Sequence, residues 1–89
     1  MGERGALSFY RTTVGAEIDL LIERKGGAIW AIEIKRAVTP VISKGFHLAC
    51  DDVSAKRRIV VHGGTRSFPM TNGIEAMSLK DAMRSVAED

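Results

Sequence analysis

Asp19 is followed fourteen residues later by Glu33-Ile34-Lys35, and Glu17 stands two residues before Asp19. Two carboxylates held side by side bind a hard divalent cation such as Mg²⁺, while a neighbouring lysine positions a water or offsets charge developing on a phosphate. Asp19 and Glu33 are thus candidate metal ligands and catalytic groups, and Lys35 is the candidate catalytic cation. Glu17, on the same strand face as Asp19, is a further candidate ligand or orienting group. A polar sheet face at water has the same composition, because carboxylates opposite lysines are favourable cross-strand pairs. Spacing alone leaves both readings open.

Other chemistry is thinner. His47 and Cys50 are three residues apart on a predicted helix, but a structural zinc site takes four protein ligands and His62 is the only other histidine or cysteine. A boundary histidine and a buried thiol fit better. No G-x-x-x-x-G-K-[ST] string and no Gly-Lys pair occurs, which excludes a P-loop ATPase site in this chain. Between Arg24 and Arg66 nine basic residues face three acidic ones. That stretch is basic enough to meet a phosphate backbone, and Lys44, Arg57, Arg58 and Arg66 are the candidate nucleic-acid contacts.

These groups need elements to hold them. Leu7 to Thr12 reads as a first strand. Glu17 to Arg24 and Ala28 to Lys35 alternate apolar and polar around Lys25-Gly26-Gly27, the signature of a β-hairpin. A three-residue loop sets Asp19 opposite Glu33 and Glu17 near Lys35, and gathers Ile18, Leu20, Ile22, Trp30, Ile32 and Ile34 on the other face. A two-residue turn would instead bury Glu33 and Lys35 without partners, at a cost of several kcal/mol. Thr39-Pro40 predicts the start of a helix reaching about Asp52, with Phe46, Leu48, Ala49 and Val53 packing and Gly45 weakening it by about 1 kcal/mol. Arg58 to His62 and Gly73 to Met77 read as short strands, and Ser78 with Asp81 as a capping box before Leu79, Ala82, Met83 and Val86. The expected fold is a mixed α/β sheet of order βββαββα. Residues 1–6 form a tail and 7–89 one domain.

Eighty-nine residues with 45% hydrophobic, 27% charged and a net charge of +2 describe one small globular domain. The longest apolar run, Ala28 to Ile32, is far below the ~18 residues of a membrane span, and no signal sequence opens the chain. One cysteine makes no internal disulfide. The expectation is a cytoplasmic protein with no membrane partner.

The Asp…Glu-x-Lys arrangement on the second and third strands resembles the PD-(D/E)XK nuclease superfamily, whose core runs α-β-β-β-α-β. Over longer stretches FYRTTVGAEIDLLIE (Phe9 to Glu23), AIEIKRAVTP (Ala31 to Pro40) and SKGFHLACDDV (Ser43 to Val53) resemble the C-terminal domain of unknown function of many prokaryotic AAA+ ATPases. That likeness runs from about Leu7 to Val86. It implies a restriction-endonuclease-like fold, Mg²⁺ held by Asp19, Glu33 and the Ile34 carbonyl, and Lys35 acting on the attacking water. It also implies an upstream AAA+ domain in the same polypeptide, and a Mg²⁺-dependent phosphodiesterase acting on nucleic acid. The alternative is a noncatalytic DNA- or protein-binding module that keeps the fold. Two features depart from the pattern. Ile18 stands where the superfamily's name has proline, and the opening helix is missing before the first strand. An uncovered sheet face of this kind favours a homo-oligomer.

Overall fold

The hairpin that carries the candidate site forms in the predicted register. Strands β2 (Glu17–Glu23) and β3 (Ile29–Ile34) pair antiparallel, with Leu20 opposite Ile32 and Ile22 opposite Trp30. Arg24 and Ala28 close a three-residue loop through a 2.7 Å backbone hydrogen bond. Gly26 and Gly27 sit at φ of +80° and +85°, where a side chain would be strained. This computed structural model describes residues 7–88. The expected tail over 1–6, and Asp89 at the end of the expected domain, lie outside the described residues.

One irregularity reverses part of the expected pattern. Strand β1 (Leu7–Arg11) pairs Ser8 with Leu21 and Tyr10 with Ile18, so Phe9 alone spans Asp19 and Leu20 of β2. An extra residue in one strand switches which face the following side chains occupy. Ile18 therefore does not join Leu20, Ile22, Trp30 and Ile32, as the alternation predicted. It is fully buried on the opposite face, with Ala16, Ala31 and Phe46. Ile34, also expected on the apolar face, is largely exposed.

After β3 the chain crosses through helix α1 (Lys44–Asp52) into β4 (Arg57–His62), parallel to β3. β6 (Ile74–Ser78) lies parallel on the far side of β4, and a two-residue strand β5 (Phe68–Pro69) pairs antiparallel with β6 at the edge. Helix α2 (Leu79–Glu88) ends the described chain. The architecture is a mixed α/β fold: one six-stranded sheet in the order β1-β2-β3-β4-β6-β5 with two helices. β5 is an addition to the expected order. Two residues carry no alternation to read, and proline at an edge costs the ladder nothing.

Helix α1 begins four residues later than Thr39-Pro40 predicted. Lys35 N donates to Val61 O (2.8 Å) and Gly63 N to Ala37 O (3.1 Å), which ties the chain after β3 to the end of β4, and Pro40 is buried there. Ser43 is the N-cap, its Oγ accepting from Phe46 N at 3.1 Å. Phe46, Ala49 and Cys50 are buried against β2, β3, β4 and β6, while Leu48, expected to pack, is exposed. A second apolar layer joins Ile22, Trp30, Ile32, Ile59, Val61 and Met77 to Ala82 and Val86 of α2. Leu79 and Met83, placed by spacing on the packing stripe of α2, are exposed. Each fully buried Ile or Phe contributes about 1.5–3 kcal/mol, so these two layers hold the sheet rigid beneath the site. Among the described residues no helix is long and apolar enough to cross a membrane.

Candidate active site

Glu33, on β3, is 8% exposed and points at the start of α1. Burying a carboxylate is costly unless donors surround it. Here Oε2 accepts from Ser43 Oγ at 2.8 Å, Oε1 accepts from Ser43 N at 3.5 Å, and Lys35 Nζ lies 3.5 Å from Oε2. Ser43 therefore has two tasks, capping α1 with its oxygen and holding Glu33 with its hydrogen. Sequence reading missed it because Thr39-Pro40 competed for the same role; the signal available was a serine three residues before the buried Phe46.

Asp19 stands in the β2 irregularity, and its Oδ2 accepts from the Ile34 N–H at 2.9 Å. The β2–β3 pairs end at Leu20 and Ile32, one step short of Asp19 and Glu33. Beyond that step a side chain, rather than backbone, takes up the β3 amide. Asp19 is thus tied to the Ile34 amide, while Glu33 and Lys35, on either side of Ile34 in the chain, pair with each other. Glu17 pairs instead with Arg11 (3.3 Å), on the exposed β1–β2 ladder. The donor set of Asp19 and Glu33 is hard carboxylate oxygen, the kind Mg²⁺ takes. Among the described residues no three His, Cys, Asp or Glu side chains gather to hold a metal ion. A cation here would add backbone carbonyl and water to two carboxylates.

The remaining candidates are dispersed. Arg57 makes a two-pronged pair with Glu75 (3.0 and 2.6 Å) and lies 4.5 Å over the Trp30 ring, and Arg58 pairs with Asp51 at 3.0 Å. Both sit where β4 begins. Lys44 and Arg66 sit at the other end of that strand, Lys44 opening α1 beside Glu33 and Arg66 in the loop after His62. Strands rise about 3.3 Å per residue, so the four steps from Arg58 to His62 span about 13 Å and the two pairs sit towards opposite ends of β4. Cys50 is fully buried, and burial pushes its thiol up to about 11, against the lowering influence of Arg58. His47 is half-buried beside it on α1.

A family described as "Domain of unknown function (DUF4143)" matches residues 2–82. Two curated proteins, Uncharacterized protein Mb2031c of Mycobacterium bovis and Uncharacterized protein Rv2008c of Mycobacterium tuberculosis, are each similar at 35% identity over 71 residues. The aligned stretch is 80% of this chain and 16% of each relative, so the chain spans about a sixth of their length. No solved structure matches the chain. The family match takes in the whole candidate site, from the β2–β3 hairpin through Ser43 to the first turn of α2, and the chain belongs to the DUF4143 domain family.

Proposed function

We propose that this domain is a nuclease-like module of restriction-endonuclease-like fold, carried by a cytoplasmic AAA+ ATPase, which hydrolyses phosphodiester bonds of nucleic acid with Mg²⁺ at Asp19, Glu33 and Lys35. The observation that supports this reading is that Asp19 accepts from the Ile34 amide while Glu33 and Lys35, flanking Ile34, pair with each other. Glu33 and Lys35 stand at the carboxyl end of parallel strand β3, and Asp19 bonds the Ile34 amide there, at the end where open α/β sheets bind their ligands. Asp19 and Glu33 would hold the cation, which supplies Lewis-acid polarisation of the phosphate and an activated water. Ser43 fixes the Glu33 rotamer, the Ile34 amide fixes Asp19, and Lys35 holds positive charge where the phosphate gains negative charge.

A second reading, a noncatalytic DNA- or protein-binding module of the ATPase, is favoured by one feature. Both Glu33 oxygens already have protein donors, and Lys35 balances the charge. Two variants separate the readings. Glu33→Gln keeps the shape and removes the charge, so Mg²⁺ affinity, read from amide shifts at Asp19, Glu33 and Ile34, should fall at least about tenfold together with any cleavage. Lys35→Ala should lose cleavage and keep or strengthen cation binding, because a positive neighbour has gone. Wild-type protein that binds Mg²⁺ no better than Glu33→Gln, and cleaves no duplex, branched or single-stranded DNA, leaves the noncatalytic reading standing.

A further inference from the structure

A cavity of about 510 Å³ opens where β4 ends, walled by Val38, Thr39, His62, Thr65, Arg66 and Phe68. None of Asp19, Glu33 and Lys35 lines it. His62 is 4% exposed, and its Nδ1 accepts the Gly64 N–H at 2.9 Å. In the neutral ring the proton therefore sits on Nε2, which is buried and has no hydrogen-bond partner among the described residues. A buried N–H without an acceptor is costly, and the residue that carries it lines the cavity. Among the described residues no carboxylate pairs with Arg66, whereas the nearby Asp81 is engaged by Ser67 (2.5 Å) and Arg84 (3.9 Å). Phe68, 40% exposed, holds its ring 5.5 Å from the imidazole.

We propose that this cavity binds the phosphate and base of a nucleotide. The guanidinium fork of Arg66 matches phosphate oxygens, the Thr39 and Thr65 hydroxyls add donors, and His62 Nε2–H supplies the buried one. Phe68 offers the apolar ring on which a base stacks. The volume falls in the range of small-ligand sites. The inference does not rest on the metal centre, and its test runs with a chelator present so that the two succeed or fail separately.

The 89-residue chain is titrated with inorganic phosphate, thymidine 5′-monophosphate and a short 5′-phosphorylated oligothymidylate, watching the amides of residues 64–68 and the His62 ring nitrogens. All three probes should shift these signals, thymidine monophosphate binding about tenfold tighter than phosphate, as one stacked base predicts. Arg66→Ala, at an exposed position, should weaken every probe at least about tenfold, and Phe68→Ala should erase only the advantage over phosphate. An oligonucleotide at least about tenfold tighter than the mononucleotide names a strand end as the source, and equal affinity names a free nucleotide. Signals that stay still in the millimolar range, or shifts that survive Arg66→Ala unchanged, overturn the proposal.

Discussion

Single side chains here are set by what surrounds them more than by their own chemistry. Glu33 is tolerated in the interior because Ser43 and Lys35 answer both its oxygens, and removing the hydroxyl withdraws a cap and a carboxylate donor at once. Ser43→Ala should cost about 1–2 kcal/mol by urea denaturation, with Ser43→Thr recovering most of it. Cys50 shows the same dependence through pH. Burial raises its folded pKa to about 11, above the ordinary 9.0, so the unfolded chain loses the thiol proton first. Its contribution is fully present below pH 9 and is lost as pH climbs towards 11. Tyr10, whose hydroxyl donates to Asp52, shifts in the same direction and adds to the alkaline loss. Denaturation midpoints at stepped pH should show Cys50→Ala less stable at pH 7 but flatter between pH 9 and 11. An unchanged slope would mean the thiol is reached by solvent.

At the scale of elements, close approach of backbones decides signs that propensity gets wrong. A glycine inside a helix predicts that Gly45→Ala stabilises α1 by about 1 kcal/mol. In the fold a Cβ at this position would overlap the Gly15 carbonyl oxygen, because α1 lies directly over the turn between β1 and β2. Overpacking against backbone costs about 1–3 kcal/mol, so Gly45→Ala should lower the denaturation midpoint. A rise in the midpoint would show that the turn yields. The start of α2 likewise exceeds its local pattern. Ser78 Oγ caps Asp81 N at 3.2 Å as its spacing predicted, but the Asp81 carboxylate accepts from Ser67 Oγ, which in turn accepts from Ser78 N at 3.2 Å. The expected two-residue box becomes a three-residue one, recruiting a loop no local rule connects to the helix.

At the scale of the molecule, α2 covers β4 and β6, and among the described residues no helix covers the same sheet face over β1 and the end of β3. Leu7 and Phe9 of β1 are each 68% exposed there, and Ile34 of β3, across β2 from them, is exposed as well. Exposed apolar side chains gathered on one sheet face favour association, so sedimentation should show a mass that rises with protein concentration. Phe9→Lys and Ile34→Lys should restore the monomer without loss of fold, and a wild type that stays monomeric throughout would contradict this. The hairpin register, β4, β6 and the second cap are legible in the sequence, because alternation, loop length and the cost of burying charge all act between neighbours in the chain. The face of Ile18, the start of α1 at Ser43, the pairing of Glu17 with Arg11 and the empty space beside His62 are not. Each depends on which strand lies alongside, and that was decided only when distant segments competed for the same hydrogen bonds and the same volume.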